Sequence, residues 1–249
     1  LLAHLGVRVT VVEMLEDILI SLDPDVRREV RKHMESSLKI KVLTGKPLEK
    51  VTADDRGVKG TCGGESLEAE LLVVAVGRRA VTDGLKLENA GLKTTPRGTL
   101  EVDASGRTAA ATIYAIGDVT DSPQLAHVAT SQGVVAAENA CGKRRKNETV
   151  IPSCIFTSPE AAAVGLGEQE AAKLGRAVRT GKYSFASHGK SLAAGEAIGF
   201  VKWIVDGETD QLLGAQAVGA HATDLIAEAA VAIRSELTAG EIGRAIHAH

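Results

Sequence analysis

The stretch TIYAIGD at Thr112–Asp118 is apolar until it ends in a glycine and an acid. It predicts a buried parallel strand whose carboxyl end presents Gly117 and Asp118. Open α/β sheets bind ligands beyond such strand ends, where a carboxylate can accept hydrogen bonds from a polyol chain. An Ala- and Val-rich helix is predicted at about 124–141, with its amino end facing an electron-rich ring. The alternative is that Asp118 only caps this helix.

The pattern of the first 79 residues also predicts an open α/β sheet. Val7–Glu13 and Ile40–Leu43 are predicted strands, and Asp23-Pro24 predicts a helix start with the acid as N-cap. The short runs of Pro47–Glu70 predict an antiparallel meander, and Leu71–Val76 predicts another buried strand. We therefore expect half of a doubly wound α/β domain that carries an inserted meander.

Glu13 closes the first predicted strand and is a candidate ligand residue. In nucleotide-binding folds an acid at this place accepts hydrogen bonds from the ribose hydroxyls of an adenosine. Its charge would repel a 2′-phosphate, which favours NAD over NADP. The alternative is that Glu13 is only an exposed carboxylate at a strand end and binds no ligand. Gly165–Glu170 reads GLGEQE and has glutamate where a phosphate-binding loop needs its third glycine. It is predicted to be a turn and a helix start.

The last hundred residues predict an α+β module with mixed strands and helices. Strands are expected at about 150–157, 177–186, 198–206 and 212–219, and helices near 168–175 and 222–236. Apolar residues recur at helical spacing in the second of these helices: Leu225, Ile226, Ala229, Ala230 and Ile233. Because small residues permit close packing against a second copy, we expect a homodimer made by residues 150–249.

Composition excludes several classes of protein. The 249 residues are 44% hydrophobic and 24% charged, which is typical of globular chains. A net charge of −3, with one Trp, two Tyr and three Phe, argues against nucleic-acid binding, so the basic run Lys143–Lys146 is predicted to be a solvated linker. Apolar runs are too short for a membrane helix, and no signal peptide is predicted. Cys62, Cys141 and Cys154 predict neither disulfides nor zinc, which favours a cytoplasmic protein.

Both ends of the sequence interrupt a predicted element, so we expect a fragment of a longer protein. The final residues, His247-Ala248-His249, could be a metal pair, a purification remnant or a catalytic base. A metal would need a third protein ligand, and none stands at a familiar spacing, so no metal site is predicted. Spacing alone does not decide between the other two.

Five stretches together resemble the flavoprotein pyridine nucleotide-disulfide oxidoreductases, in family order and at family spacing. They are Val9–Glu13, Ala75–Arg79, Ile113–Val119, Phe156–Glu160 and Ile246–His249. The resemblance implies three parts, in chain order. These are the later part of an NAD-binding domain at 1–79, a central FAD-binding segment at 80–149, and a truncated dimerisation domain at 150–249.

The resemblance also implies roles for single residues. The implied NAD contacts are Glu13, Val51 and Gly77; the implied FAD contacts are Asp118, Gln124, Leu125, Ala126 and His127. Asp118 would hold the ribityl chain, and the other four would lie under the isoalloxazine ring. His249 would be the base that, from the partner subunit, takes the proton of a dithiol substrate. The family's redox CxxxxC pair and its amino-terminal FAD fingerprint have no counterpart in this sequence.

Within the family, His-Ala-His favours oxidation of dihydrolipoamide through FAD to NAD, in 2-oxo acid dehydrogenase complexes. Two alternatives remain: a non-catalytic dimerisation and cofactor-domain module, or a piece of a glutathione- or mercuric-reductase-like enzyme. Because the redox pair is missing, we expect the chain by itself to be inactive.

Overall fold

The computed structural model describes residues 1–175 and 177–248. The chain divides into two compact units. One joins Leu1–Val73 to the described residues from Pro152 onward, and the other is Val74–Ile151. Each unit has its own architecture.

The first unit opens with a parallel strand pair. Strands β1 (Thr10–Glu13) and β2 (Lys41–Thr44) pair with Thr10 opposite Lys41, and helix α1 (Pro24–Ser36) connects them. This βαβ arrangement is the predicted one, and Pro24 takes the first helical position, where its missing N–H costs nothing. At the amino end, Leu2–Leu5 forms a 3₁₀ turn that ends at Gly6.

The predicted meander follows directly and is confirmed. Strands β3 (Leu48–Asp54), β4 (Gly57–Cys62) and β5 (Glu65–Ala69) form a three-stranded antiparallel sheet. Gly57 begins β4 with φ +137, and a Cβ there would lie 2.5 Å from the carbonyl oxygen of Ala69. A glycine is therefore required for the close approach of these two strands.

The last hundred residues form a five-stranded antiparallel sheet in the order β6-β7-β10-β9-β8. The strands are β6 (Ser153–Ile155), β7 (Glu160–Gly165), β8 (Val178–Ser184), β9 (Gly199–Asp206) and β10 (Leu212–Gly219). The helices are α3 (Glu168–Ala172), α4 (Gly189–Ala194), α5 (Ala222–Arg234) and α6 (Ala239–Arg244). The predicted α+β module is confirmed, but the sequence analysis did not predict β7 or α4. The sequence GLGEQE is, as predicted, a turn before a helix, since Gly167 is the N-cap of α3.

Helix α1 packs against this five-stranded sheet and forms the core of the unit. Val26 and Val30, one helical turn apart, are fully buried. They share a cluster with Ala161, Phe200 and Val218 of the sheet. Burial of such apolar surface stabilises at roughly 25 cal/mol per Å², so this contact ties the opening βαβ segment to the carboxyl-terminal sheet.

The second unit has one long helix and little other regular structure. Helix α2 (Ala126–Ala140) confirms the predicted helix, and short 3₁₀ turns lie at Leu87–Ala90 and Gly117–Val119. The predicted strand at Thr112–Asp118 is wrong. The stretch makes an isolated bridge between Tyr114 and Arg107, and its Asp118 lies in the second 3₁₀ turn.

The predicted buried strand at Leu71–Val76 is also wrong. No strand is assigned there, and the exposed fractions of Val73, Val74 and Val76 are 64%, 70% and 92%. Apolar composition predicts a strand, but burial also needs neighbouring strands that hydrogen-bond to it. None of the strands in the described part of the chain pairs with this stretch.

The helices of the described residues include none with the length and apolar character that a membrane span requires.

Candidate functional site

The Gly117-Asp118 turn is held against helix α2. Gly117 has φ +68, and a Cβ at this position would lie 2.9 Å from the Cβ of Ala129. Gln132, buried on α2, accepts a hydrogen bond from the Gly117 N–H at 2.7 Å through Oε1. Its Nε2 donates to the Ser122 hydroxyl at 2.7 Å. Helix α2 therefore fixes the backbone that presents Asp118, and sequence reasoning missed Gln132. The signal was an amide side chain within an Ala- and Val-rich helix.

Asp118 presents a half-buried carboxylate, with 34% of the side chain exposed. Its Oδ2 lies 3.0 Å from a guanidinium nitrogen of Arg78, whose side chain is 73% exposed. A pair so open to water adds little to stability. The carboxylate remains an acceptor for hydroxyl groups, and Arg78 provides a donor beside it.

The amino end of α2 carries the other candidate FAD residues. The helix begins at Ala126 with Leu125 as N-cap, and the N-cap side chain makes no capping hydrogen bond. Gln124, Ala126 and His127 are exposed and Leu125 is half-buried. A helix end without a side-chain cap keeps its positive partial charge directed outward, which suits an electron-rich ring or an anion. The donors and the carboxylate together fit part of a flavin site.

The candidate NAD residues lie in both units. In the first unit, the half-buried Glu13 accepts a hydrogen bond from the Leu15 N–H at 2.9 Å, and Val51 on β3 is 45% exposed. In the second unit, Gly77 has φ +113, and a Cβ there would meet nothing within 4 Å. The Glu13 side chain thus lies at the end of β1, as predicted, with its second oxygen available as an acceptor.

His249, the candidate base, lies outside the described residues. His247, two positions earlier, is described: its Nε2 lies 2.6 Å from Glu228 Oε1 on α5, and its Nδ1 lies 2.9 Å from the Ala245 carbonyl oxygen. The hydrogen bond to Glu228, and next that to Ala245, raises the pKa of His247 above its usual value.

A buried lysine joins α1 to the carboxyl-terminal sheet. Lys202 of β9 is 2% exposed, and its Nζ lies 2.7 Å from Asp23 Oδ2, 2.7 Å from Asp25 Oδ1 and 3.2 Å from Glu168 Oε2. Oxygens of these three carboxylates lie within 4.8 Å of one another, as in a metal site, but the ammonium already binds them. Asp23 is the N-cap residue of α1, as predicted, but its side chain does not cap that helix. It accepts instead from the Glu168 N–H.

Within this cluster, Lys202 and Asp25 stabilise each other's charged forms. Burial is the largest influence on Lys202 and lowers its pKa, but hydrogen bonds to the carboxylates outweigh it, so the net pKa is raised. Burial likewise opposes ionisation of Asp25, but hydrogen bonds from Lys202 and Lys182 lower its pKa overall. Sequence reasoning missed Lys202, although a lysine inside the apolar run FVKWIV of β9 signals a buried charge that needs partners.

The three cysteines are free and lie in different elements. Cys62 ends β4, Cys141 follows α2, and Cys154 lies in β6, as the sequence predicted. Burial, with smaller contributions from Glu160 and Asp224, raises the pKa of the Cys154 thiol. A raised pKa makes this sulfur a poor nucleophile at neutral pH.

The chain belongs to the pyridine nucleotide-disulphide oxidoreductase family. The family model of that description matches residues 1–133, and the model of the family's dimerisation domain matches residues 151–249. The mixed α/β fold with partial domains is thereby confirmed.

The similar curated relatives include two bacterial proteins named dihydrolipoyl dehydrogenase. The one from Thermus scotoductus is 41% identical, over 99% of this chain and 54% of the relative. The one from Bacillus subtilis is also 41% identical, over 100% of this chain and 54% of the relative. The chain thus spans about half the length of the curated relatives it matches. Among solved structures, LpdA from Mycobacterium tuberculosis superposes with a TM-score of 0.92 at 29% identity, covering 99% of this chain and 54% of LpdA.

Proposed function

We propose that this chain forms part of a dihydrolipoyl dehydrogenase, which oxidises dihydrolipoamide and passes the electrons through FAD to NAD⁺. The observation that carries the proposal is the 41% identity over 99% of the chain to a relative of that name. The fixed Gly117-Asp118 turn beside the uncapped amino end of α2 agrees with it.

The chain's own residues then have distinct tasks. Asp118 accepts hydrogen bonds from the ribityl hydroxyls, and the segment Gln124–His127 supports the isoalloxazine ring with the positive end of α2. Glu13 binds the adenosine ribose of NAD, and Val51 and Gly77 are the other proposed NAD contacts. His249 takes the proton of the dithiol substrate as general base. When bound, FAD supplies the two-electron transfer between dithiol and nicotinamide.

Residues 1–79 contribute to NAD binding, 80–149 to FAD binding and 150–249 to dimerisation. The enzyme works in the cytoplasm with the components of a 2-oxo acid dehydrogenase complex. The matched dimerisation-domain model supports the homodimer.

NADH formation from NAD⁺ and dihydrolipoamide by the FAD-loaded holoenzyme that contains this chain tests the proposed activity. Asp118→Asn keeps the shape but removes the negative charge, so we expect weaker FAD retention and roughly tenfold lower turnover. Asp83→Asn is the control, because Asp83 is exposed in the same unit. Reduction of glutathione disulfide or Hg(II) in place of dihydrolipoamide oxidation would contradict the proposal.

Glu13→Arg is expected to shift the holoenzyme from NAD⁺ towards NADP⁺. The change removes the ribose acceptor and its repulsion of a 2′-phosphate, and it adds a cation that can bind that phosphate. We expect the ratio of kcat/KM values for the two cofactors to change by at least about tenfold, or ~1.4 kcal/mol. Glu16→Arg is the matched control, because Glu16 is an exposed acid three residues away. An unchanged ratio in Glu13→Arg would remove Glu13 from the cofactor site.

Light scattering at micromolar concentration is expected to give twice the mass of the chain. In α5 the residues Ile226 and Ala229 are buried against the sheet, as their spacing predicted, but Leu225 and Val231 remain 44% and 64% exposed. Burying these side chains against a second copy removes apolar surface from water. A monomer mass at every concentration up to the micromolar range would contradict the homodimer.

A further inference from the structure

The segment Ala245–Ala248 follows α6 without regular structure. Its backbone is extended at Ala245, with φ −66 and ψ 132, and the Ile246 side chain is fully exposed. Apolar burial therefore contributes little to the position of this segment. The ion-paired hydrogen bond from His247 Nε2 to Glu228 Oε1, at 2.6 Å, connects it to helix α5.

The hydrogen bonds of His247 determine its protonation state. Nε2 faces a carboxylate oxygen and Nδ1 faces the Ala245 carbonyl oxygen at 2.9 Å, so both partners are acceptors. A neutral imidazole has one N–H and can satisfy one acceptor, whereas the imidazolium has two. Both contacts are made together only by the charged ring.

The electrostatic surroundings of the ring favour the same state. Glu228 of α5 is the charged group that faces the ring, and α6 ends with Arg244, which acts on Glu241 of its own helix. The side chains of His247 and Glu228 are 55% and 52% exposed, so solvent protons reach the pair freely.

We propose that the His247–Glu228 pair is a positioning device that holds the segment leading to His249 against α5, and that this hold is released when His247 loses its proton. The inference rests on the proposed function, in which His249 is the base. His247 is thus assigned as a positioning residue, because its contacts are to Glu228 and to the Ala245 carbonyl oxygen.

The direction of the pH effect follows from linkage. A histidine whose pKa is raised in the folded chain stabilises its contacts fully below the unfolded pKa, and it loses that contribution as pH rises through the folded pKa. The segment should therefore be ordered below the ordinary histidine pKa of 6.5 and should loosen as the pH rises through the raised pKa of His247.

Nitrogen-15 NMR of the imidazoles in the 249-residue chain tests the pair without reference to activity. We expect His247 to show two protonated ring nitrogens at about pH 6, below its ordinary pKa of 6.5, and the amides of 245–248 to be ordered there. In Glu228→Gln the ring should titrate at a lower pH, and the loss of amide order should move down by the same amount.

Asp224→Asn is the matched control. Asp224 is an exposed acid on the same helix, 3.5 Å from a different histidine, His221. The control should leave the titration of His247 unchanged. A neutral His247 ring at pH 6, or order in residues 245–248 that does not change with pH or with Glu228→Gln, would overturn the proposal.

Kinetics of the FAD-loaded holoenzyme test the link to the reaction. Because a small misplacement of a reacting group can cost up to about a hundredfold, we expect Glu228→Gln to lower kcat by roughly tenfold with little change in KM. The alkaline limb of its kcat profile should also shift to lower pH. Absence of dihydrolipoamide oxidation in the unsubstituted holoenzyme would count against the proposed function. The NMR titration tests the role of the His247–Glu228 pair independently of that result.

Discussion

Lys202→Met is expected to lower the free energy of unfolding by about 3–5 kcal/mol, the usual cost of removing one partner from a buried ion pair. The substitution keeps the length of the side chain but removes the ammonium that Asp23, Asp25 and Glu168 surround. Asp23, which is 6% exposed, would then be a buried carboxylate without its cation. The loss should affect α1 and the sheet together, because this cluster and the Val26–Val30 contact lie between them.

Denaturant unfolding followed by circular dichroism measures this effect. Lys59→Met is the control, because Lys59 pairs with Glu68 at 2.8 Å with both side chains more than 60% exposed. Such a surface pair contributes at most about 1 kcal/mol. The double variant Lys202→Met with Asp23→Asn should recover part of the loss. If the two lysine substitutions lowered the free energy of unfolding equally, burial of Lys202 would not increase the contribution of its ion pairs to stability.

The cluster also gives the stability a predicted pH dependence. The pKa of Asp25 is lowered from its ordinary 3.8, so its contribution is complete above that value and is lost as pH falls through the folded pKa. The pKa of Lys202 is raised from 10.5, so its contribution is complete below that value and is lost as pH rises through the folded pKa. Lys202→Met should therefore reduce the pH dependence of the free energy of unfolding at both the acidic and the alkaline end.

The 249-residue chain, supplied with FAD, NAD⁺ and dihydrolipoamide, is expected to form no NADH above the background of free flavin. Dithiol exchange needs a thiolate and a neighbouring cysteine that resolves the mixed disulfide. Cys62, Cys141 and Cys154 are free and lie in different elements, without the CxxxxC spacing of a redox pair. A general base contributes about 10²–10⁴-fold at most, so His249 could not replace a redox pair.

NADH formation by the 249-residue chain is measured from the absorbance of the reduced nicotinamide at ~340 nm. The FAD-loaded holoenzyme is the positive control. A Cys154→Ser variant adds a sharper test, because Cys154 is the cysteine nearest to the candidate base in sequence. Turnover by the unsubstituted chain that Cys154→Ser abolishes would show that this half-buried thiol reacts after all. We expect neither protein to turn over.

Local signals predicted many of the elements correctly. Asp23-Pro24 marked the start of α1, the glycine- and acid-broken runs marked the β3–β5 meander, and the Ala- and Val-rich run marked α2. In each case the signal depends only on residues close together in the sequence. It comes from the fixed φ of a proline, a helical period of apolar residues or a tight turn. Such information is complete in the local sequence.

The failures share a different cause. Leu71–Val76 and Thr112–Asp118 have the composition of buried strands, but a strand exists only where a neighbour offers its hydrogen bonds. The nature of those neighbours is a property of the whole fold. The same reason explains why β7 was missed, since its pairing with β10 organises the run EAAAVG.

The sequence by itself determined the family, and it predicted the three parts and the candidate site residues, because these depend on residue types at given spacings. Tertiary structure alone decided that Lys202 joins α1 to the sheet and that Gln132 holds the Gly117 turn. It also decided that Glu228 binds His247. These contacts connect residues 15 to 179 positions apart. Their formation depends on which apolar faces pack together, and only the folded chain brings such distant polar groups within hydrogen-bond range.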